Sequence, residues 1–424
     1  MKQYDSYKDS GVQWIGEIPS HWERCRFKDF VSLKTDSSSS DVKIGLENIE
    51  GKTGRYIETN TEFEGDGVAF DVNDIVYGKL RPYLQKVWLA TFAGNAVGDF
   101  FVFHSKQNCE SKYLQYLMLS DGFTSECNGA TLGAKMPRVS SDFILTLRYF
   151  LPPFAEQQAI ASYLDKKCGE IDKAIATQQK RIELLQELRQ NIITHAITRG
   201  INPDVSLKDS GVDWIGQVPE HWEVKRIKHC AGIFGRIGFR GYNTEDLVPE
   251  GEGPITLSPS NMQGKMNYDS CTYLSWYKYN ESPEIQIHNG DVLFVKTGST
   301  YGKSAYVENL PMEATINPQI VVLKDFNQCN SKYFYYMLTT HIVQNQVDNT
   351  VIGSTIPTIG QEKIRNYILP VPPLSEQQVI VAHIEIETAK LDKQVAKANR
   401  QISLLQELKQ SIITEVVTGK RKVC

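Results

Sequence analysis

The chain has 424 residues, 41 % of them hydrophobic and 23 % charged, with a formal net charge of −4. That balance suits folded, water-facing domains with ample cores, and the acidic net charge excludes a uniformly basic nucleic-acid module. No apolar run approaches the ~20 residues of a membrane span and the polar N-terminus has no signal-peptide core, so a cytoplasmic protein with no membrane partner is expected.

In chain order, the first readable element is an arm. Asp9-Ser-Gly-Val-Gln-Trp-Ile-Gly-Glu-Ile-Pro-Ser-His-Trp-Glu23 returns almost unchanged as Asp209-Ser-Gly-Val-Asp-Trp-Ile-Gly-Gln-Val-Pro-Glu-His-Trp-Glu223. The chain is a tandem duplication. The offset between copies is 200 at Trp14/Trp214, 213 at Asn48/Asn261, 217 at Asp74/Asp291 and 220 from Ser111/Ser331 onward. All length change therefore falls in one region of each copy, as it would where a common scaffold carries two different recognition surfaces. Trp14, Trp22, Trp214 and Trp222 recur with so little change that structural anchors are the better reading than base-stacking platforms.

Residues 24–151 and 224–371 carry short alternating apolar runs broken by Gly, Asn and Asp. Asp74-Ile-Val-Tyr-Gly-Lys and Asp291-Val-Leu-Phe-Val-Lys read as matching strands. Tyr113–Leu119 and Tyr333–Leu338 read as short helices with Ser111 and Ser331 as N-caps. This is an α+β pattern without βαβ spacing. Each mixed domain then stops at Pro152-Pro153 or Pro372-Pro373, and the period changes. Apolar residues at Leu164, Ile171, Ile175, Ile182, Leu185, Leu188 and Ile192 recur three and four apart, as do Ile384, Leu391, Val395, Ile402, Leu405, Leu408 and Ile412. About forty residues of helix give a rod of roughly 60 Å, which needs a partner for its stripe. The other copy's helix supplies one, as an antiparallel coiled coil. The expected fold is α+β: two mixed α/β domains separated by two long antiparallel helices, in a pseudo-twofold repeat. Its segments are an arm (1–23), a domain (24–151), a long helix (152–200), a second arm (201–223), a second domain (224–371) and a second helix (372–424).

Searches for chemistry come back negative. Cysteines stand at 25, 109, 127, 168, 230, 271, 329 and 424, with no Cys-x-x-Cys pair and no zinc-like spacing to His, so free thiols and no metal are expected. Gly298-Ser-Thr-Tyr-Gly302-Lys303-Ser304 is one residue short of a phosphate loop. Leu151-Pro-Pro-Phe154 lacks the hydrogen-bond acceptor that opens the amino-methyltransferase motif, and no Gly-rich βα turn stands ready for S-adenosylmethionine. Glu223-Val-Lys225 has the tail of a nuclease site, but the first copy reads Glu23-Arg-Cys25. Binding remains. Lys79, Arg81 and Lys86 lie beside Tyr77 and Tyr83, and Lys296 and Lys303 beside Tyr301, a pattern suited to phosphate contacts. Lys135 and Arg138 in Gly129-Ala-Thr-Leu-Gly-Ala-Lys-Met-Pro-Arg138 face uncharged Thr355 and Thr358 in the second copy. Two different base sequences would require such divergence.

The repeated arm, the Pro-Pro-x-x-Glu-Gln-Gln that opens each helix and the closing Leu-Leu-Gln-Glu-Leu together resemble the specificity subunit of type I restriction-modification enzymes, over the whole chain and in the family's order. The resemblance implies a non-catalytic, double-stranded-DNA-reading subunit that joins two methylation subunits and two restriction subunits. It implies that S-adenosylmethionine, ATP and Mg²⁺ are used by those partners, with no cofactor bound by this chain. Each target recognition domain would read one half of a bipartite site and the helices would set the gap between halves. The residues expected to touch DNA are Asn48, Lys79, Arg81, Lys86, Lys135 and Arg138 in the first domain, and Asn261, Lys296, Lys303, Ser354 and Thr355 in the second. Arg181, Glu187 and Arg189 on the outer helix faces are candidates for docking methylation subunits. The target sequence, the gap length and the methylated adenines are not readable from the chain.

Overall fold

The computed structural model describes every residue except Met1, Lys2, Gln13, Trp14, Ser39, Ala134, Gly264, Ser354 and Cys424, and leaves out the side chains of Phe239 and Gln263. The chain divides into two compact units. One holds residues 1–180 and 398–424, the other residues 181–397. Each unit thus contains one mixed domain, the opening half of the long helix that follows it and the closing half of the other repeat's long helix.

In the first unit a four-stranded antiparallel sheet is built from β1 (Val31–Lys34), β2 (Ile75–Gly78), β3 (Val87–Leu89) and β4 (Phe100–Ser105), in the order β1-β4-β2-β3. A smaller three-stranded sheet pairs Lys43–Ile44 with Gly94–Val97 in parallel, and Gly67–Phe70 with Gly94–Val97 in antiparallel fashion. β2 has all four residues buried, which is why its sequence lacks clean alternation. The helix Ser111–Leu119 packs behind the sheet. Its cap is Glu110, whose carboxylate accepts from the Tyr113 N–H, rather than the expected Ser111. Asn330 does the same for the matching helix Ser331–Leu338, in place of Ser331.

The first long helix, α1, runs Phe154–Arg199 without interruption. Its opening turn explains the repeated Pro-Pro-x-x-Glu-Gln-Gln. Gln157 is fully buried; its amide donates to the Asn108 and Pro152 carbonyls and its oxygen accepts from the Glu110 N–H. Glu156 accepts from Tyr4 Oη (2.6 Å) and Trp22 Nε1 (3.2 Å) and lies 2.8 Å from His21 Nε2. The arm is thereby pinned to the helix start, with Trp22 buried in the core. The same core takes in Ile160, Leu164, Cys168 and Ile171 of α1. It also takes in Ile412, Ile413, Val416 and Val417 from the far end of the second long helix, α2 (Leu374–Val417). Lys409 Nζ meets Asp172 at 2.8 Å, and Arg55 reaches the same carboxylate at 2.7 Å.

The second unit repeats this plan. β5 (Gly232–Gly235), β6 (Val292–Val295), β7 (Ser304–Tyr306) and β8 (Ile320–Lys324) form a sheet in the order β5-β8-β6-β7, the first unit's order again. Gln377 holds the Gln328 and Pro372 carbonyls, and Glu376 accepts from Trp222 Nε1 (3.1 Å) beside His221 (2.7 Å). Ile193, Ala196 and Ile197 from the end of α1 join this core together with Ile380, Val381 and Ile384 of α2. Arg181 donates to Gln394 Oε1 (3.2 Å) and Arg189 stands 3.7 Å from Asp392, so the two helices run antiparallel here. The inserted residues of the second copy enlarge the smaller sheet to four strands, adding Leu247–Val248 and Thr272–Leu274 beside Ile255–Leu257 and Ala314–Ile316.

The apolar stripe departs from expectation at two positions. Leu188 and Leu408 are exposed, as are their neighbours Leu184 and Leu404. Near residues 185 and 405 each helix turns its buried face from its helical partner toward a globular core. The packed residues become Ile193, Ala196 and Ile197, and Ile413, Val416 and Val417. Leu164, Ile171, Leu185, Ile384, Leu391 and Ile412 are buried, with Leu164, Ile171, Ile384 and Ile412 inside the domain cores. Ile175, Ile182, Ile192, Val395, Ile402 and Leu405 are half-buried.

Candidate nucleic-acid interface

One surface crest recurs in both units. In the first, the chain leaves β2 at Gly78 and runs alongside the start of β4: the Lys79 N–H donates to the Asp99 carbonyl at 2.9 Å. A tight hairpin closes over it. Leu132 and Arg138 exchange both backbone hydrogen bonds (2.9 and 3.0 Å), the Arg81 N–H donates to the Pro137 carbonyl (2.8 Å), and the Val139 N–H to the Lys79 carbonyl (3.2 Å). In the second unit Ile352 and Thr358 exchange the same two bonds (2.9 and 2.8 Å). The Gly298 N–H donates to Pro357 (2.9 Å), the Ile359 N–H to Lys296 (2.8 Å) and the Lys296 N–H to Gln319 (2.8 Å). Bond for bond, the backbone frame is the same.

The side chains on that frame differ. In the first unit Arg138 Nε and Nη2 each donate to Asp99 at 3.0 Å, and Lys79 Nζ stands 3.9 Å from the same carboxylate and 5.3 Å over the Phe101 ring. Hydrogen bonding to Asp99 raises the Arg138 pKa above its ordinary value. In the second unit Gln319 replaces Asp99 and Thr358 replaces Arg138. Asn317 Nδ2 donates to Gln319 Oε1 at 3.1 Å. Half-buried Lys296 keeps the place of Lys79, and burial alone lowers its pKa. A cation desolvated without an acidic neighbour gains more than a solvated one from an arriving anion.

Two further features mark the crest. The hairpin tips hold aliphatic side chains in water: Leu132 is 78 % exposed and Ile352 69 %, with Met136 and Ile356 exposed beside them. Arg81 sits at φ +52°, where the second unit has Gly298 at φ +102°. An arginine in the left-handed region costs about 1 kcal/mol or more relative to glycine, and its side chain is exposed.

The other expected residues divide by burial. Lys135, Lys303 and Thr355 are exposed near the crest, and Ser354 lies outside the described residues. Asn48 does not belong to the interface. It is 3 % exposed and spends its amide on the Gly45 N–H, the Ile57 carbonyl and Thr59 Oγ1. Asn261, equally buried, closes the matching turn against the Ser258 N–H and the Asn267 carbonyl. Lys86 points inward and donates to the Leu46 and Ile49 carbonyls, both at 2.7 Å; burial lowers its pKa. Asp99 and Gln319 join the crest without being among the residues expected from sequence. Aligning the copies at their 220-residue offset would have set one opposite the other, each heading its β4-type strand. Of the tryptophans, Trp22 and Trp222 are anchors, Trp214 is partly exposed and Trp14 lies outside the described residues.

Residues 219–402 match the model of the type I restriction modification DNA specificity domain. Over 96 % of its length the chain is 22 % identical to the type I restriction enzyme MjaVIII specificity subunit of Methanocaldococcus jannaschii, covering 94 % of that protein. Over nearly its whole length the chain is thus similar to specificity subunits of type I restriction enzymes. Two solved structures share the fold of this chain. One comes from work on complex assembly and conformational transition of the type I R-M system (TM-score 0.70, 16 % identity, 94 % of this chain and 98 % of that one). The other is the HsdS subunit from Thermoanaerobacter tengcongensis (TM-score 0.52, 17 % identity, 97 % and 100 %). Among the described residues no helix is long and apolar enough to cross a membrane.

Proposed function

We propose that each unit reads one half of a bipartite site in double-stranded DNA through its crest, and that the two long helices set the gap between the halves. The observation that carries this reading is the crest itself, one hydrogen-bonded frame presented twice with different donors and acceptors. Phosphate contacts from Lys79, Arg81, Lys135, Lys296 and Lys303 would position the duplex, and polar side chains would read base edges in the major groove. Catalysis then belongs to two methylation subunits, which use S-adenosylmethionine, and two restriction subunits, which use ATP and Mg²⁺. The exposed pairs Leu184/Leu188 and Leu404/Leu408, each one helical turn apart, are the apolar ridges on which methylation subunits would dock.

The gap is tested by adding seven residues to each long helix, near Gln178 and near Lys397, so that packing phase is kept. Seven residues add ~10 Å, or about three base pairs. Sequencing methylated sites in cells carrying the complete system should show both half-sites unchanged and the gap lengthened. An unaltered gap overturns the spacer role.

A further inference from the structure

We propose that the residue heading the β4-type strand, with the hairpin residue facing it, selects one base pair in each half-site: Asp99 with Arg138 for guanine, Gln319 with Thr358 for adenine. This rests on the reading of the crests as DNA-facing and names their chemistry.

Arg138 carries five N–H donors in a planar fork. Asp99 takes the Nε and one Nη2 hydrogen through two 3.0 Å bonds. That side-on grip leaves the outer edge, Nη1 and the second Nη2 hydrogen, aimed away from the carboxylate. It also holds the long side chain in one orientation before any ligand arrives, so less freedom is lost on binding. A braced fork with two parallel donors matches the two adjacent acceptors that a G·C pair shows in the major groove, O6 and N7. No other base pair offers two acceptors on one base.

In the second unit the same frame holds no fork. Gln319 is exposed, and its oxygen is oriented by Asn317 Nδ2 at 3.1 Å while Asn317 Oδ1 accepts from the Gln319 N–H at 3.0 Å. The amide keeps its two N–H donors and a second lone pair on Oε1. One donor beside one acceptor is the pattern that pairs with N7 and N6–H of adenine. Thr358 is short where Arg138 is long, so Gln319 is not overreached by its neighbour. The two sites are built from residues far apart in sequence but are superposable through their backbone bonds: Lys79 to Asp99 and Lys296 to Gln319.

The test uses the full chain assembled with its methylation subunits, and reads methylated sites genome-wide for wild type, Arg138→Ala, Asp99→Asn and Gln319→Ala. Arg138 and Gln319 lie at the surface, so thermal melting of each variant should match wild type. Arg138→Ala should relax a single G·C position in the first half-site by on the order of tenfold to a hundredfold, leaving the second half-site strict. Asp99→Asn should relax that same position less. Gln319→Ala should relax a single A·T position in the second half-site. If Arg138→Ala instead weakens every sequence alike and lowers the salt slope by about one, Arg138 is a phosphate contact and the proposal falls. Relaxation at a pair other than G·C for Arg138, or other than A·T for Gln319, also overturns it. Absence of any site-specific methylation by the wild-type complex would strike the DNA-reading assignment itself, an outcome separate from these.

Discussion

The two crests make the most instructive comparison in the molecule. Around Lys79 and around Lys296 the backbone makes the same hydrogen bonds to the same partners, down to the proline carbonyl that receives the N–H two residues beyond each lysine. The side chains diverge from ion-paired to neutral. Elsewhere the copies agree in the opposite sense: Gln157 and Gln377 have matching carbonyl and amide partners, and Glu156 and Glu376 hold matching Trp and His groups. Side-chain chemistry is kept where it carries the frame and is free to change where the frame is presented outward. A buried amide that loses its partners is costly, whereas an exposed Thr or Arg costs the fold little.

That contrast can be broken at several points. The largest effect should come from the frame. Glu156→Ala removes the carboxylate that Tyr4 Oη and Trp22 Nε1 donate to and should destabilise the first unit by about 2–4 kcal/mol. Glu376→Ala should cost the second unit less, because that carboxylate is more exposed, 27 % against 10 %, and no tyrosine among the described residues is bonded to it. Denaturant titration followed by probes in each unit would check this, and equal losses would mean that the two anchors are energetically alike. Next in size is the double substitution Leu184→Ser with Leu188→Ser, or Leu404→Ser with Leu408→Ser. Each should weaken association of a methylation subunit by about tenfold or more with little change in melting temperature, since these leucines already face water. Unchanged association by analytical ultracentrifugation would exclude the ridges as docking sites.

The smallest effect is the sharpest. Arg81→Gly gives the first crest the residue its counterpart has. Stability should rise by about 1 kcal/mol as the left-handed strain is relieved. DNA affinity should fall, and the salt dependence should lose about one unit of slope. A variant that is more stable and binds DNA as well as wild type would show that the arginine is tolerated rather than used.

Much of the architecture was legible because it rests on local period and on repetition. The prolines at 152–153 and 372–373, the three-and-four spacing after them and the duplicated arm are written along the chain. The failures have a common physical origin. Leu188 and Leu408 fit a stripe drawn through α1 and α2, but the stripe changes partner near the helix ends, from another helix to a domain core, and no single period describes both. Asn48 is expected at the DNA because an asparagine amide can hydrogen-bond a base edge. The groups that satisfy it, at Ile57 and Thr59, lie nine and eleven residues on, beyond what spacing reveals. Asp99 escaped notice for the same reason, since its partners Lys79 and Arg138 flank it at twenty and thirty-nine residues. Lys79, Arg81 and Lys296 stand out in the chain because charge beside aromatics after a strand is a local signal, and Arg138 because the aligned loop of the second copy has Thr358 in its place.

The core of the first unit is finished by Ile412, Ile413, Val416 and Val417, and that of the second by Ile193, Ala196 and Ile197. Ile193, Ala196 and Ile197 stand at the positions of Ile413, Val416 and Val417, all of them aliphatic. A chain comprising residues 1–205 alone would therefore lack its own seal yet carry one that suits a sister molecule. Two such half-length chains would complete each other as a domain-swapped homodimer, and, on the DNA-reading role proposed for the crests, the assembly would recognise a palindrome.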